Sequence, residues 1–323
     1  MELVTKKILR LYSGRSHPKL AEDIADRLGV PLGEANVRDF PNGEVHCRFG
    51  ENIRGADVFI IQTHCGSVND SIMEQLIMID AAKRASAKRI TAVCPLYGYS
   101  RQDRKAEGRE PIAAKLVADL LTAAGASRML SVDLHSGQIQ GFFDKPVDHL
   151  TAMPVLLDYI ERECAGDIVV VAPDAGRVKV AERYSQHLSA DLAFVHKRHI
   201  KGKSDEVEAR GVIGDVDGRR CVIIDDRIDT AGTIVAAADI LTENGATEVW
   251  AMATHGVLAD PAVDRLKNSL ISRVVITDTV PVPPEKQMDK LEILSVANII
   301  GDAIDVIFED KSVSELFGGE NQN

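Results

Sequence analysis

Two adjacent carboxylates, Asp225 and Asp226, end the apolar run Val222-Ile-Ile, and the chain then reads Arg-Ile-Asp229-Thr-Ala-Gly-Thr233. The run has the character of a buried strand, and a helical pattern follows from Gly232 to Asn244. A helix N-terminus offers an anion its unpaired backbone N–H groups and the positive end of the helix dipole. Asp229, Thr230, Ala231, Gly232 and Thr233 can therefore wrap a phosphate with amides and hydroxyls, Gly232 letting the backbone come close. Asp225 and Asp226 stand where vicinal hydroxyls would donate to them, so one loop can grip a sugar phosphate at both ends. The plainer alternative is a strand-to-helix turn capped by Asp229 or Thr230. A cap, however, has no use for neighbouring like charges.

Other segments carry chemistry less decisively. In Ser131-Val-Asp-Leu-His-Ser136, Asp133 and His135 lie two apart, so in an extended chain they point the same way. Such a pair can hold or approach a divalent metal on triphosphate oxygens. For an isolated Asp-x-His, a capping Asp and a hydrogen-bonded His explain the pattern better. Tyr97–Lys105 is a basic loop suited to a polyphosphate, and equally to plain solvation. Lys197–Ser204 is basic without a core pattern, which is the mark of a surface loop. Phe40-Pro-Asn-Gly-Glu44 reads as a tight turn.

The elements that must position these residues alternate along the chain. Strands are expected at Val58–Ile61, Ile90–Cys94, Arg128–Val132, Ile168–Val171, Cys221–Ile224 and Val249–Ala253. Helices are expected at Ile72–Ala85, Ile112–Ala124 and Gly232–Asn244. Short continuous apolar strands between helices predict parallel α/β sheets covered on both faces, with ligands beyond the strands' carboxyl ends. Asp57-Val-Phe-Ile-Ile with Ala87–Val93 parallels Arg220-Cys-Val-Ile-Ile with Ala246–Met252. The parallel marks either two similar domains or the general likeness of β-α-β units. In the first copy the acidic loop is replaced by Gln62-Thr-His-Cys-Gly66.

Composition sets the outer bounds. The 323 residues carry 38 Lys and Arg against 49 Asp and Glu, a net charge of −11, and only 4% are aromatic. That balance counts against nucleic acid as a partner, but not against phosphate ligands, since site charge and net charge are different quantities. With 45% apolar residues, two packed cores are expected rather than disorder. The five cysteines are scattered without a Cys-x-x-Cys pair, and no segment reads as a signal or a membrane span. A cytoplasmic protein with reduced thiols is expected.

The acidic pair and its turn resemble the phosphoribosyl-pyrophosphate motif shared by type I phosphoribosyltransferases and ribose-phosphate diphosphokinases. Tyr97–Lys105 and Ser131–Asp148 resemble the diphosphokinases in particular, and the similarity extends from about Leu9 to Phe317. The resemblance implies two similar phosphoribosyltransferase-type domains, each a mainly parallel sheet flanked by helices, at residues 1–150 and 151–323. The terminal segment is a candidate to pack back on the first. It further implies that Arg101, Gln102, Asp103 and His135 contact ATP, and that Phe40, Asn42 and Glu44 hold adenine from a neighbouring subunit. By the same resemblance Asp225, Asp226 and Asp229–Thr233 bind ribose 5-phosphate, while Asp133, His135 and Asp174 attend Mg2+.

Lys197 would then stabilise the transferring phosphoryl group. His199 stands at the usual arginine position, with Arg198 before it as the candidate replacement. Arg177 stands where many members of the family have a second glycine after Ala172-Pro-Asp-Ala-Gly. Arg54, Gln140, Ser312, Val313 and Ser314 match positions associated with activation by phosphate and inhibition by ADP, in an assembly expected to be a homohexamer. The implied reaction gives 5-phosphoribosyl 1-diphosphate and AMP from ATP and ribose 5-phosphate. A phosphoribosyltransferase would leave Arg101–Lys105 and Asp133–His135 idle. A non-catalytic regulatory homologue would fit the departures at His199 and Arg177, but not the intact Lys197 and His135.

Overall fold

The computed structural model describes residues 7–164, 166–197 and 210–317, and the chain forms two compact units. The first begins with β1 (Leu9–Ser13), α1 (Pro18–Leu28) and an antiparallel ribbon of β2 (Ala35–Asp39) and β3 (Val45–Phe49). There follow β4 (Asp57–Ile61), α2 (Val68–Arg84), β5 (Arg89–Cys94), α3 (Ala113–Ala124), β6 (Arg128–Val132) and β7 (Val147–Leu150). One all-parallel sheet runs in the order β1-β4-β5-β6-β7. Every residue of β4 is buried, as a strand covered on both faces requires.

The second unit starts at Ala152. It comprises α4 (Met153–Glu163), β8 (Ile168–Ala172), α5 (Val178–Leu188), β9 (Asp191–Lys197), β10 (Arg210–Ile213), β11 (Arg220–Ile228) and α6 (Gly232–Glu243). After these come β12 (Glu248–Gly256), α7 (Ala262–Lys267), β13 (Arg273–Thr277) and β14 (Leu291–Leu294). Its sheet runs β10-β9-β8-β11-β12-β13-β14, antiparallel only between β10 and β9. Thr279–Pro281 and the chain from Val296 onward belong to the first unit. There α8 (Ala297–Phe308) packs on α1, with Arg27 and Asp302 paired at 2.7 Å.

The two segments that look alike in sequence are β4-α2-β5 and β11-α6-β12, each a parallel crossover unit. Their registers agree at the first strand position, Asp57 opposite Arg89 and Arg220 opposite Glu248. Both positions are ion pairs, with the charges exchanged between copies. The copies part company at the other end of the strands. In the first, Gln62, Thr63 and His64 are all buried and bonded inward. Gln62 Nε2 donates to Glu74 at 2.9 Å, and Thr63 Oγ1 donates to the Thr279 carbonyl at 2.7 Å. His64 Nδ1 accepts from Gly98 N–H at 2.9 Å, so Nε2 carries the proton toward Gln75 Oε1 at 2.8 Å.

Burial pushes His64 down to about 4, against the opposing bond to Gln75. With the folded value depressed, neutral His64 is fully compatible with the fold above its ordinary value near 6.5. That stability is lost as pH falls toward the folded value. The first unit should lose about 2 kcal/mol between about pH 7 and about pH 5 from this group. Hydrogen exchange of the β4 and β5 amides measures the loss, and His64→Gln should remove most of the difference. An unchanged pH slope in that variant would contradict the assignment.

Candidate functional site

In the first unit the candidate residues sit on the ribbon and on loops at the sheet's carboxyl end. The β2–β3 turn is closed by Phe40 N–H donating to the Glu44 carbonyl at 2.7 Å, while Asn42 Oδ1 accepts from Glu44 N–H at 3.2 Å. Phe40 remains 41% exposed, with the Arg38 guanidinium 5.6 Å from its ring centroid. The ribbon is tied down by Arg15, which sequence reasoning missed. Its backbone N–H and Nε donate to Glu74 at 2.6 and 2.5 Å, and its Nη atoms grip Asp39 at 2.9 and 2.7 Å. Glu74 is only 3% exposed, and a carboxylate so buried needs such partners. The partners lie 59 and 24 positions from Arg15, so no local pattern announces them.

Two other expected segments meet directly. Ser136 Oγ donates to Asp103 Oδ2 at 2.5 Å, joining the loop after β5 to the loop after β6. The backbone of Gln102 is held by Tyr99 and Ala114, and the side chains of Arg101 and Gln102 face solvent. The extended-chain argument for Asp133 and His135 fails, because Asp133 has a left-handed φ of 37°. Leu134 is nevertheless buried, while Asp133 and His135 stay half-buried. Arg54, Gln140 and Ser312–Ser314 all belong to this unit. Arg54 N–H donates to Asn52, Gln140 Nε2 donates to the Gly137 carbonyl, the Ser312 and Ser314 hydroxyls lie 2.7 Å apart, and Val313 is buried.

The second unit gathers its candidates at the carboxyl ends of adjacent parallel strands. β8 delivers Asp174, whose carboxylate accepts from Gly176 N–H at 2.8 Å. β9 ends at Lys197, opposite Arg210. Arg198 lies outside the described residues, as does His199. β11 outruns β8, its pairing with β12 continuing to Ile228. It thereby carries Asp225 and Asp226 to the end of the sheet, half-buried.

Burial, and next the charge and hydrogen bond of Asp226, push Asp225 well above the usual carboxylate range. Arg177 pulls it back, its Nε 3.2 Å from Asp225 Oδ1 and its Nη2 2.5 Å from Asp226 Oδ1. Among the described residues, no cluster of three or more His, Cys, Asp or Glu is arranged to hold a metal.

The turn Asp229–Thr233 enters the helix where the sequence pattern placed its start. Ala231 has the left-handed backbone, φ 60°, whereas Gly232 is the first residue of α6. Ala231 is also the N-cap and supplies no side-chain hydrogen bond, so neither Asp229 nor Thr230 occupies the capping position. Non-glycine residues pay about 1 kcal/mol for that conformation. A pocket of about 240 Å³ opens beside the turn, between Thr230, Gly232 and Thr233 and the apolar Val195, Ala236 and Ile240. Arg265 of α7, also missed from sequence, donates to the Thr230 carbonyl at 3.0 Å and braces the turn.

These features define an α/β protein with an uncapped strand-to-helix turn beyond an acidic pair. The family model for the N-terminal domain of ribose phosphate pyrophosphokinase matches residues 9–125, and that for the phosphoribosyl synthetase-associated domain matches residues 210–318. A ribose-phosphate pyrophosphokinase of Bifidobacterium longum is 56% identical over 315 residues, covering 96% of this chain and 93% of its own. One from Streptomyces avermitilis is 55% identical over 97% of both chains. The crystal structure of phosphoribosylpyrophosphate synthetase from Mycobacterium smegmatis superposes with a TM-score of 0.90 at 49% identity, over 94% of this chain and all of that one. The chain belongs to the ribose-phosphate pyrophosphokinase family.

The base of the Asp229–Thr233 turn leaves little room. A Cβ on Gly256 would collide with Ile276 Cδ1 and lie 3.1 Å from its Cβ. Leu258 N–H donates to the Ile228 carbonyl at 3.1 Å, just before Asp229. Gly256→Ala should therefore destabilise the second unit by about 1–3 kcal/mol through overpacking. The fall in denaturation midpoint is followed by fluorescence of Trp250, the chain's single tryptophan, which lies in this unit. An unchanged midpoint would mean that Ile276 yields freely.

Proposed function

We propose that the chain transfers the diphosphoryl group of ATP to the C1 hydroxyl of ribose 5-phosphate. The C1 oxygen attacks the β-phosphorus, the bond from that phosphorus to the α-phosphate oxygen breaks, and AMP leaves as the hydroxyl proton is lost. The observation that carries this reading is the uncapped α6 N-terminus directly behind Asp225 and Asp226. Together they offer amides to a 5-phosphate and carboxylate acceptors to ribose hydroxyls. Nothing in the reaction requires a covalent enzyme intermediate, so the residues act by positioning and charge.

Asp229, Thr230, Ala231, Gly232 and Thr233 hold the 5-phosphate, and Asp225 and Asp226 orient the sugar. Arg101, Gln102, Asp103 and His135 hold ATP on the first unit, the Ser136–Asp103 bond keeping two of its loops in step. Phe40 stacks on adenine, with Asn42 and Glu44 at the base edge and Arg15 fixing the ribbon that presents them. In the homohexamer this ribbon serves a neighbouring subunit's nucleotide. Lys197 and Arg198 meet the charge that develops on the transferring group.

Mg2+ suits the donors available. It takes one or two carboxylates, phosphate oxygens and waters rather than a protein cage, and no such cage exists among the described residues. Asp133 and His135 would attend it with ATP on the first unit and Asp174 would attend it with the sugar on the second, where it would offset the negative charge of the phosphates. Arg54, Gln140 and Ser312–Ser314 form the effector region for phosphate and ADP. The chain's substrates are water-soluble and its place of action is the cytoplasm; among the described residues no helix is long and apolar enough to cross a membrane.

Incubation with ATP and Mg2+ should yield AMP only when ribose 5-phosphate is present, and chromatography of the nucleotides reads this directly. ADP formation, or AMP formation independent of the sugar, would sink the reading. Lys197→Ala should lower kcat by about a hundredfold or more with little change in KM. Ser136→Ala should instead raise the KM for ATP several-fold and leave that for ribose 5-phosphate alone, as initial rates at varied substrate will report.

A further inference from the structure

The guanidinium of Arg177 lies on the two carboxylates assigned to the ribose hydroxyls. Nε is 3.2 Å from Asp225 Oδ1 and Nη2 is 2.5 Å from Asp226 Oδ1. All three side chains are withdrawn from water to a similar degree, with 13%, 16% and 12% of their surface exposed. The backbone favours the contact. β8 and β11 are parallel neighbours, Val171 pairing with Ile223, so the turn carrying Arg177 and the acidic pair leave the sheet side by side. The peptide N–H of Asp226 meanwhile donates to Asp225 Oδ1 at 2.8 Å. Both donors therefore hold Asp225 by its Oδ1 atom.

We infer that Arg177 is a built-in counter-cation of the sugar site, which holds Asp225 and Asp226 together as acceptors without a free divalent ion. Two adjacent carboxylates withdrawn from water repel each other, and removing a partner cation from such a group costs heavily. Each carboxylate offers about four acceptor positions, so a guanidinium on the Oδ1 atoms leaves capacity for the sugar. Arg177 is thus a positioning residue. It acts on the sugar through the two aspartates and has no contact with the reacting atoms. The inference rests on the assignment of Asp225 and Asp226 to the ribose hydroxyls.

Calorimetric titration of ribose 5-phosphate into the full chain, saturated with the non-cleavable Mg–α,β-methylene-ATP, separates the possibilities. It is run with Mg2+ equimolar to the analogue and again with Mg2+ in large excess. For the unaltered chain, the dissociation constant should be nearly the same in both conditions. Arg177→Met should bind about tenfold or more weakly at equimolar Mg2+, a loss of about 1.4 kcal/mol or more, and recover in excess Mg2+. Arg177→Lys keeps the charge but not the planar fork, and should fall between the two. Intact Trp250 fluorescence will show that each variant is folded.

Arg177→Met binding as the unaltered chain does at equimolar Mg2+ would overturn the inference. So would tighter binding, which would make the arginine an obstacle to the sugar. Failure of ribose 5-phosphate to bind the unaltered chain in either condition would overturn the assignment of the aspartates themselves, and with it the inference. That result is distinct from an effect confined to the variants.

Discussion

Two neighbouring carboxylates withdrawn from water cannot both keep their charge unless the surroundings balance them. Asp225 and Asp226 meet this constraint at the end of β11, and much of the second unit can be understood from it. β11 must continue past its partner β8 to bring the pair out of the core, and its ladder with β12 supports the extension as far as Ile228 and Gly256. β8 must then turn close enough to supply a cation, which it does with Arg177. Beyond the pair, the chain needs a sharp entry into α6, and Ala231 takes the left-handed conformation there instead of a glycine. Each step fixes the next, so the Asp229–Thr233 turn inherits its position from a strand register.

The opposite ends of the strands carry charge of another kind. Asp57 pairs with Arg89, and Arg89 also reaches Asp310, which binds Lys7 at 2.6 Å. In the other unit Arg220 binds Glu248 at 2.5 Å, and Glu248 also accepts from Trp250 Nε1 at 2.7 Å. The Arg273 guanidinium lies 4.7 Å from a Trp250 ring centroid. These groups neutralise one another and leave the strand ends closed. Partly exposed pairs of this sort contribute modestly to stability, but they fix register between strands. At the amino ends the acidic groups pair with cations of neighbouring strands, whereas the acidic pair at the carboxyl end of β11 is balanced by Arg177 from the turn after β8. A net charge of −11 hides that division.

The strands and the acidic loop were legible because they are local. Continuous apolar runs such as Val58–Ile61 and Cys221–Ile224 read as buried strands, and the run of turn chemistry after Ile228 reads as an exit toward a helix. What escaped was everything made by residues distant in sequence. Arg15 reads as an ordinary loop arginine until the fold brings Glu74 and Asp39 to it. Arg265 looks like the polar face of a short helix, and only its approach to Thr230 gives it a part. Gly232 serves as the first helical residue, as the helical pattern from Gly232 onward implied, and the left-handed conformation falls on Ala231, a residue whose type does not announce it.

The related crossover in the first unit shows what the same geometry does without that constraint. Aligned from the first strand position, Gln62 stands where the second copy has Asp225, and Thr63 stands for Asp226. With neutral groups no counter-cation is called for, and the loop folds inward. Gln62 bonds Glu74 and Ser16, Thr63 bonds Thr279 and Leu96, and His64 bonds Gly98 and Gln75. A loop that satisfies its own polar groups has nothing left to offer a ligand. Candidate ligand groups in this unit must then come from the neighbouring strand ends, β5 and β6, and from the ribbon. His64 links those roles, because its ring accepts from Gly98 N–H at the start of the segment leading to Arg101. The first copy's loop is therefore the floor on which the neighbouring loops stand, and exchange of two acids for two neutral side chains is enough to account for the change of role.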